Sequence, residues 1–181
     1  ATPVDASSAG TPVTSGTVTV DNTAPSISSV SINPSAGTET TTFSCVPAGW
    51  SDPDPADAPG YTWQWTVNSV PSVTSQTIDG SSFDRGDEIA CTATPTDGET
   101  PGSPLTSATV TIANSVPSIA SVSISPSAGG ESTTFTCNPS GWSDADGDTA
   151  GYDYQWTVSS VASVTSASIT GATFDSGDVL A

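Results

Sequence analysis

Asp144, Asp146 and Asp148 stand at alternate positions in the run Asp-Ala-Asp-Gly-Asp, a few residues ahead of an aromatic stretch. Asp52, Asp54 and Asp57 stand in the matching place of a second, similar run. Carboxylates spaced this way in a turn can converge on a hard cation, and calcium takes about six to eight oxygen ligands. These six Asp residues are therefore the candidate calcium ligands, although the full EF-hand pattern and its closing Glu are absent. Asp and Gly are also ordinary turn formers, so a plain solvated turn is the competing reading. Trp50 and Trp142 each follow a Gly. An exposed indole stacks on a sugar ring, whereas a large aromatic at a strand end more often caps a core. Arg85-Gly86-Asp87 spells the integrin-recognition tripeptide, but the matching positions read Ser176-Gly177-Asp178, so the Arg is incidental to the pattern. Asp84 and Asp87 are the kind of carboxylate pair that hydrolyses glycosides. Nothing else in the chain supports that chemistry, and the expectation is a protein that is not an enzyme.

Composition removes most other chemistry. The chain has 181 residues, with 19 Asp and Glu against one basic residue and a formal charge of −18. That one cation is Arg85, and His is absent. Without His there is no Ser–His or Cys–His pair and no His-ligated zinc. Without Lys there is no Schiff base, no phosphate-cradling lysine and no Lys–Asn isopeptide crosslink. A single cation cannot neutralise a phosphate backbone, and an anionic membrane surface repels this chain. Neither nucleic acid nor membrane insertion is expected. The 32 Ser and 29 Thr offer hydroxyls for O-linked sugars or for covering exposed strand faces. Asn33 and Asn138 are each followed by Pro, so no N-glycosylation sequon exists.

The elements that must carry these residues are organised by an internal match. Residues 25–34 read PSISSVSINP and residues 117–126 read PSIASVSISP, an offset of 92. FSCVPAGWSD (43–52) matches FTCNPSGWSD (135–144) at the same offset. After one deletion near Pro59 the offset becomes 91, and 42 of 66 aligned pairs are identical over 24–90 against 116–181. TPVTSGTVTVDN (11–22) likewise matches SPLTSATVTIAN (103–114). Residues 1–23 thus read as the end, the last strand, of one repeat. Residues 24–115 are a complete repeat, and residues 116–181 are the front of a third that stops before the position matching Cys91. The chain reads as a window on a longer tandem array.

Within a repeat the strand signals are dense. Val, Ile, aromatic and Thr residues are separated by Gly, Pro and Ser turns, and no helical stripe occurs. Ser26–Asn33 is expected as a first strand, with a bulge between Ile27 and Val30. Thr41, Phe43 and Cys45 alternate inward on a second strand, and Tyr61, Trp63, Trp65 and Val67 alternate on a third. Further strands are expected near 72–78, 87–94 and 105–112. Cys45, the aromatic strand and Cys91 follow one another in the Cys…Trp…Cys order of immunoglobulin-like domains. That order implies a Cys45–Cys91 bridge between two sheets; two reduced, buried thiols are the alternative. Cys137 matches Cys45 and is unpaired within this window.

GWSDADGDTAGYDYQW (141–156), FDRGDEIACTATPTDG (83–98) and the Asn-Thr-Ala-Pro-Ser junction (22–26) resemble the bacterial and archaeal Ig-like, PKD-like repeats of large extracellular surface proteins. Ile89 stands where antibody-type domains carry a Tyr. The resemblance implies an all-β fold of tandem immunoglobulin-like β-sandwich repeats with a period of about 92 residues. It also implies an extracellular, cell-surface or secreted setting and a spacer role. The leading expectation is a structural fibre, filament or stalk whose partners are neighbouring repeats or copies of itself. It would be stiffened by disulfides, with calcium as the candidate ion. The alternatives are an adhesin module binding glycans or another surface, and a filament subunit that donates a strand to its neighbour.

Overall fold

The computed structural model describes residues 1–54 and 57–181. Every regular element among them is a β-strand, and no helix is long and apolar enough to cross a membrane. In chain order the strands of the first segment are β1 (Ser29–Asn33), β2 (Phe43–Ala48), β3 (Gly60–Val67), β4 (Val70–Pro71), β5 (Thr77–Ile78), β6 (Glu88–Thr96), β7 (Leu105–Thr106) and β8 (Val110–Thr111). They form two antiparallel sheets. One has the order β1-β2-β5; the other has β4-β3-β6-β7, with β8 also on β6.

Alternation places the core. Phe43 and Cys45 of β2 point inward, as do Ile89, Cys91 and Ala93 of β6. Trp65 lies opposite Cys91 across the β3–β6 ladder and is fully buried. Its indole N–H donates to the Ser75 carbonyl at 3.1 Å, so the polar end of the ring is satisfied inside the core. Burying a side chain of this size contributes about 1.5–3 kcal/mol. The two sheets share one apolar cluster and are joined by the Cys45–Cys91 disulfide, with Cα atoms 5.9 Å apart. The arrangement is consistent with a β-sandwich.

Residues 116–181 carry β9 (Ser121–Ser125), β10 (Phe135–Ser140), β11 (Thr157–Val158), β12 (Val161–Ala162) and β13 (Ser168–Ile169). β10 pairs with β9 and β13, and β11 pairs with β12. Trp156 is buried with Phe135, Ile169 and Phe174, and its indole N–H donates to Ser166.

Several elements differ from the sequence-based expectation. β1 begins at Ser29, three residues late, because Ser26 makes only an isolated bridge to Ser51. Thr41 lies outside β2, in a turn closed by the Thr41 N–H on Thr38. The stretch near 72–78 contributes only β5, while β4 forms earlier, in a hairpin whose turn residues Asn68 and Ser69 have φ of 49° and 66°. The stretch 105–112 divides into β7 and β8 around the Ser107 hydroxyl, which accepts from the Cys91 amide. Residues 1–23 form no strand beyond one isolated bridge, Val4 to Ala9. Val18 and Val20 are 90% and 87% exposed, whereas Val110 and Ile112 at the matching positions are 9% and 1% exposed. A strand requires a ladder partner, and 1–23 has no sheet beside it in this chain. The aromatic stretch 151–156 stays out of the ladder for the same reason.

Candidate cation sites at the joints between segments

Each acidic loop is aimed by a glycine. Gly49 and Gly141 have φ of 69° and 71° and turn the chain out of β2 and β10. A Cβ on Gly49 would lie 2.1 Å from the Ser28 hydroxyl oxygen, so both conformation and space call for glycine there. The next residues are tied back to the start of the segment. Ser26 and Ser51 exchange backbone hydrogen bonds of 2.8 and 2.9 Å, and Ser118 and Ser143 repeat the exchange at 2.8 and 2.9 Å.

From that anchor the two loops fold alike. The Asp54 N–H donates to Asp52 Oδ1 at 2.9 Å, and the Asp146 N–H donates to Asp144 Oδ1 at 2.9 Å. The second carboxylate of each loop reaches the linker. Asp54 Oδ2 accepts from the Thr23 N–H at 2.7 Å, and Asp146 Oδ2 accepts from the Ser115 N–H at 2.7 Å. In each triad, Asp52/Asp54/Asp57 and Asp144/Asp146/Asp148, carboxylate oxygens come within 4.8 Å of one another. The sequence pairing of the Asp residues therefore holds as geometry, with the loops seated against the chain that joins one segment to the next.

The charge balance at the joints differs. At the first, Asp97 lies close by, accepting from the Asn22 amide at 2.9 Å. That bond, with the Thr100 and Glu99 amides, holds the Asp97 carboxyl below its ordinary value. Asp57 is pushed the other way, by desolvation and then by the charges of Asp52, Asp97 and Asp54. At the second joint Arg85 supplies a positive charge. It pairs with Asp148, lies 3.8 Å from Asp146 Oδ2 and donates to Asn114 Oδ1 at 2.6 Å.

The remaining candidates sit elsewhere. Arg85 of the Arg-Gly-Asp run is engaged with Asp148, while Asp87 accepts from the Asn68 amide at 2.6 Å and from the Asp84 N–H at 2.9 Å. The tripeptide is thus part of a turn, and Asp84 and Asp87 close that turn. Trp50 is half-buried, its ring edge-on to Tyr61 at 5.7 Å, and Tyr61 lies 5.4 Å from Trp63. Trp142 packs edge-on to Tyr152 at 5.6 Å. Cys137 is an unpaired, half-buried thiol. The 116–181 segment also has an open groove of about 780 Å³ lined by Ile124, Phe135, Phe174 and Leu180 among others. The matching residues of the first segment, Ile32, Phe43, Phe83 and Ile89, are buried in one cluster with Val110 and Ile112.

Sequence reasoning on the acidic loops missed the linker residues Asn22, Thr23, Asn114 and Ser115, and missed Arg85 as a partner. The signal for the linkers was present: Asn22-Thr23 and Asn114-Ser115 recur at the offset of 92. Comparison with protein families, with characterised proteins and with solved structures finds no match for this chain.

Proposed function

We propose that the chain is a non-catalytic structural segment of an extracellular tandem-repeat fibre or stalk, built from immunoglobulin-like modules joined end to end. The observation that carries this reading is the joint. In both copies the linker is a few residues long, and its backbone N–H is bound by the second Asp of the following acidic loop. A short linker tied to the next module limits bending, and the Pro at 25 and 117 limits it further. The disulfide between sheets suits an oxidising, extracytoplasmic setting. The high negative charge keeps such strings apart in solution.

A second form of the reading exchanges the continuous chain for strand donation between copies. It is favoured by exposed Val18 and Val20 and by the open groove of 116–181. The adhesin alternative has less support, because the rings of Trp50 and Trp142 pack edge-on to tyrosines. One measurement separates the first two: the mass of the native protein after denaturation without reduction. The fibre reading expects a mass many times 17.9 kDa. A mass of 17.9 kDa would reject the continuous array and leave strand donation between subunits.

A further inference from the structure

We infer that each joint binds one divalent cation of the calcium class, and that the ion fastens the linker to the acidic loop of the next segment. Among the described residues, three buried side-chain oxygens have no hydrogen-bond partner: Asp52 Oδ2, Ser115 Oγ and Asp146 Oδ1. All three lie at the two joints. The Asp146 side chain is 1% exposed, and Ser115 is 8% exposed. Leaving a buried carboxylate oxygen and a buried hydroxyl unpaired is costly, and native structures avoid it. A cation answers that deficit at the place where it arises.

The spacing fits. Calcium lies about 2.3–2.6 Å from each ligand oxygen, so oxygens on one ion are separated by at most about 5 Å. The carboxylate oxygens of each triad fall within 4.8 Å of one another. One oxygen of Asp54 or Asp146 is occupied by the linker N–H, while its carboxylate stays in the triad. The ion and the linker thus share one side chain, and binding orders both. Asn22 and Asp97 stand beside the first joint, and Asn114 beside the second, as further oxygen donors.

Arg85 makes the two sites unequal. Its guanidinium already pairs with Asp148 and approaches Asp146. No basic side chain is paired with the first triad among the described residues. The site of Asp52, Asp54 and Asp57 is therefore the tighter of the two. Ion binding is a property of the chain itself and does not depend on the fibre reading; only the consequence, a stiffer string, rests on it.

The test is calorimetric titration of the chelator-treated chain 1–181 with Ca²⁺, with Mg²⁺ as the size control. Two ions per chain are expected, with affinities in the range of extracellular modules, about 0.1–1 mM. Asp54→Asn should abolish the tighter event and Asp146→Asn the weaker one. Arg85→Ser, which copies the residue at 176, should tighten the weaker event roughly fivefold or more. Circular dichroism and Trp fluorescence check that the variants fold. If either Asn variant does not, Asp57→Asn and Asp148→Asn replace them, since these carboxylates do not hold the linker N–H. Small-angle scattering with and without Ca²⁺ reads the joint, and a narrower spread of overall dimensions is expected with the ion. Absence of saturable binding below several millimolar Ca²⁺, or binding unchanged in the Asn variants, overturns the sites. Saturable binding with unchanged scattering overturns the fastening. The native mass is measured separately, so failure of the ion sites and failure of the fibre reading are distinguishable.

Discussion

Ser69 occupies a two-residue hairpin turn with φ of 66°, a left-handed conformation that costs an L-residue about 1–2 kcal/mol. Its neighbour Asn68 shares that conformation but is repaid: its side chain donates to Asp87 and accepts from the Glu88 N–H at 3.0 Å. Asn-Gly is the pair that such a turn prefers. Ser69→Gly is therefore expected to stabilise the chain by about 1 kcal/mol, read as a higher midpoint of urea unfolding at unchanged slope. A lower midpoint would show that the Ser69 side chain contributes more than its backbone strain costs. At the same scale Asp146 differs from Asp148 in its surroundings. Its side chain is buried and half satisfied, whereas Asp148 is well exposed and already paired with Arg85.

Strands here depend on partners more than on propensity. Thr-Val-Thr-Val at 17–20 and Thr-Val-Thr-Ile at 109–112 are nearly the same peptide, yet only the second enters a ladder. β8 has β6 beside it, and 17–20 has nothing. β6 is the central element, paired on one side with β3 and on the other with β7 and β8, and covalently tied through Cys91 to β2. The bridge spans a sequence separation of 46. Closing a loop of that length stabilises by roughly 4 kcal/mol in the chain-entropy model. Replacing both cysteines, Cys45→Ala with Cys91→Ala, is expected to cost about 2–5 kcal/mol, measured by chemical denaturation. A cost below about 1 kcal/mol would mean that the facing sheets are held by apolar packing alone. Residues 116–181 lack both the second cysteine and the β6-like strand, and there Cys137 is only half-buried, where Cys45 is fully enclosed.

At the scale of the molecule, a formal charge of −18 with one cation means that repulsion outweighs charge pairing. Raising monovalent salt from about 0.01 to 0.15 M shortens the screening length from roughly 30 to 8 Å. The thermal midpoint is expected to rise with salt, because screening relieves repulsion while the pairs it weakens are few, Arg85 with Asp148 and Asp146. A falling midpoint would make that one cluster the dominant electrostatic feature of the fold. At the proposed joint sites, added calcium is expected to act beyond this general screening and at far lower concentration than monovalent salt.

Much of this was legible in the residues themselves. Alternation placed Phe43, Cys45, Trp65 and Cys91 inside, because a half-buried strand shows its faces at a period of two. The Cys…Trp…Cys order pointed to the bridge, and the spacing of Asp52/Asp54/Asp57 and Asp144/Asp146/Asp148 pointed to one converging cluster in each loop. These are local or periodic properties, carried by neighbours in the chain. What only the tertiary structure decided lies across distance. Thr23 meets Asp54 over 31 residues and Arg85 meets Asp148 over 63. The fate of Val18 against Val110 turns on whether a sheet edge is present. Contacts of that kind follow from how the sheets pack, and packing joins residues that no sequence window contains together.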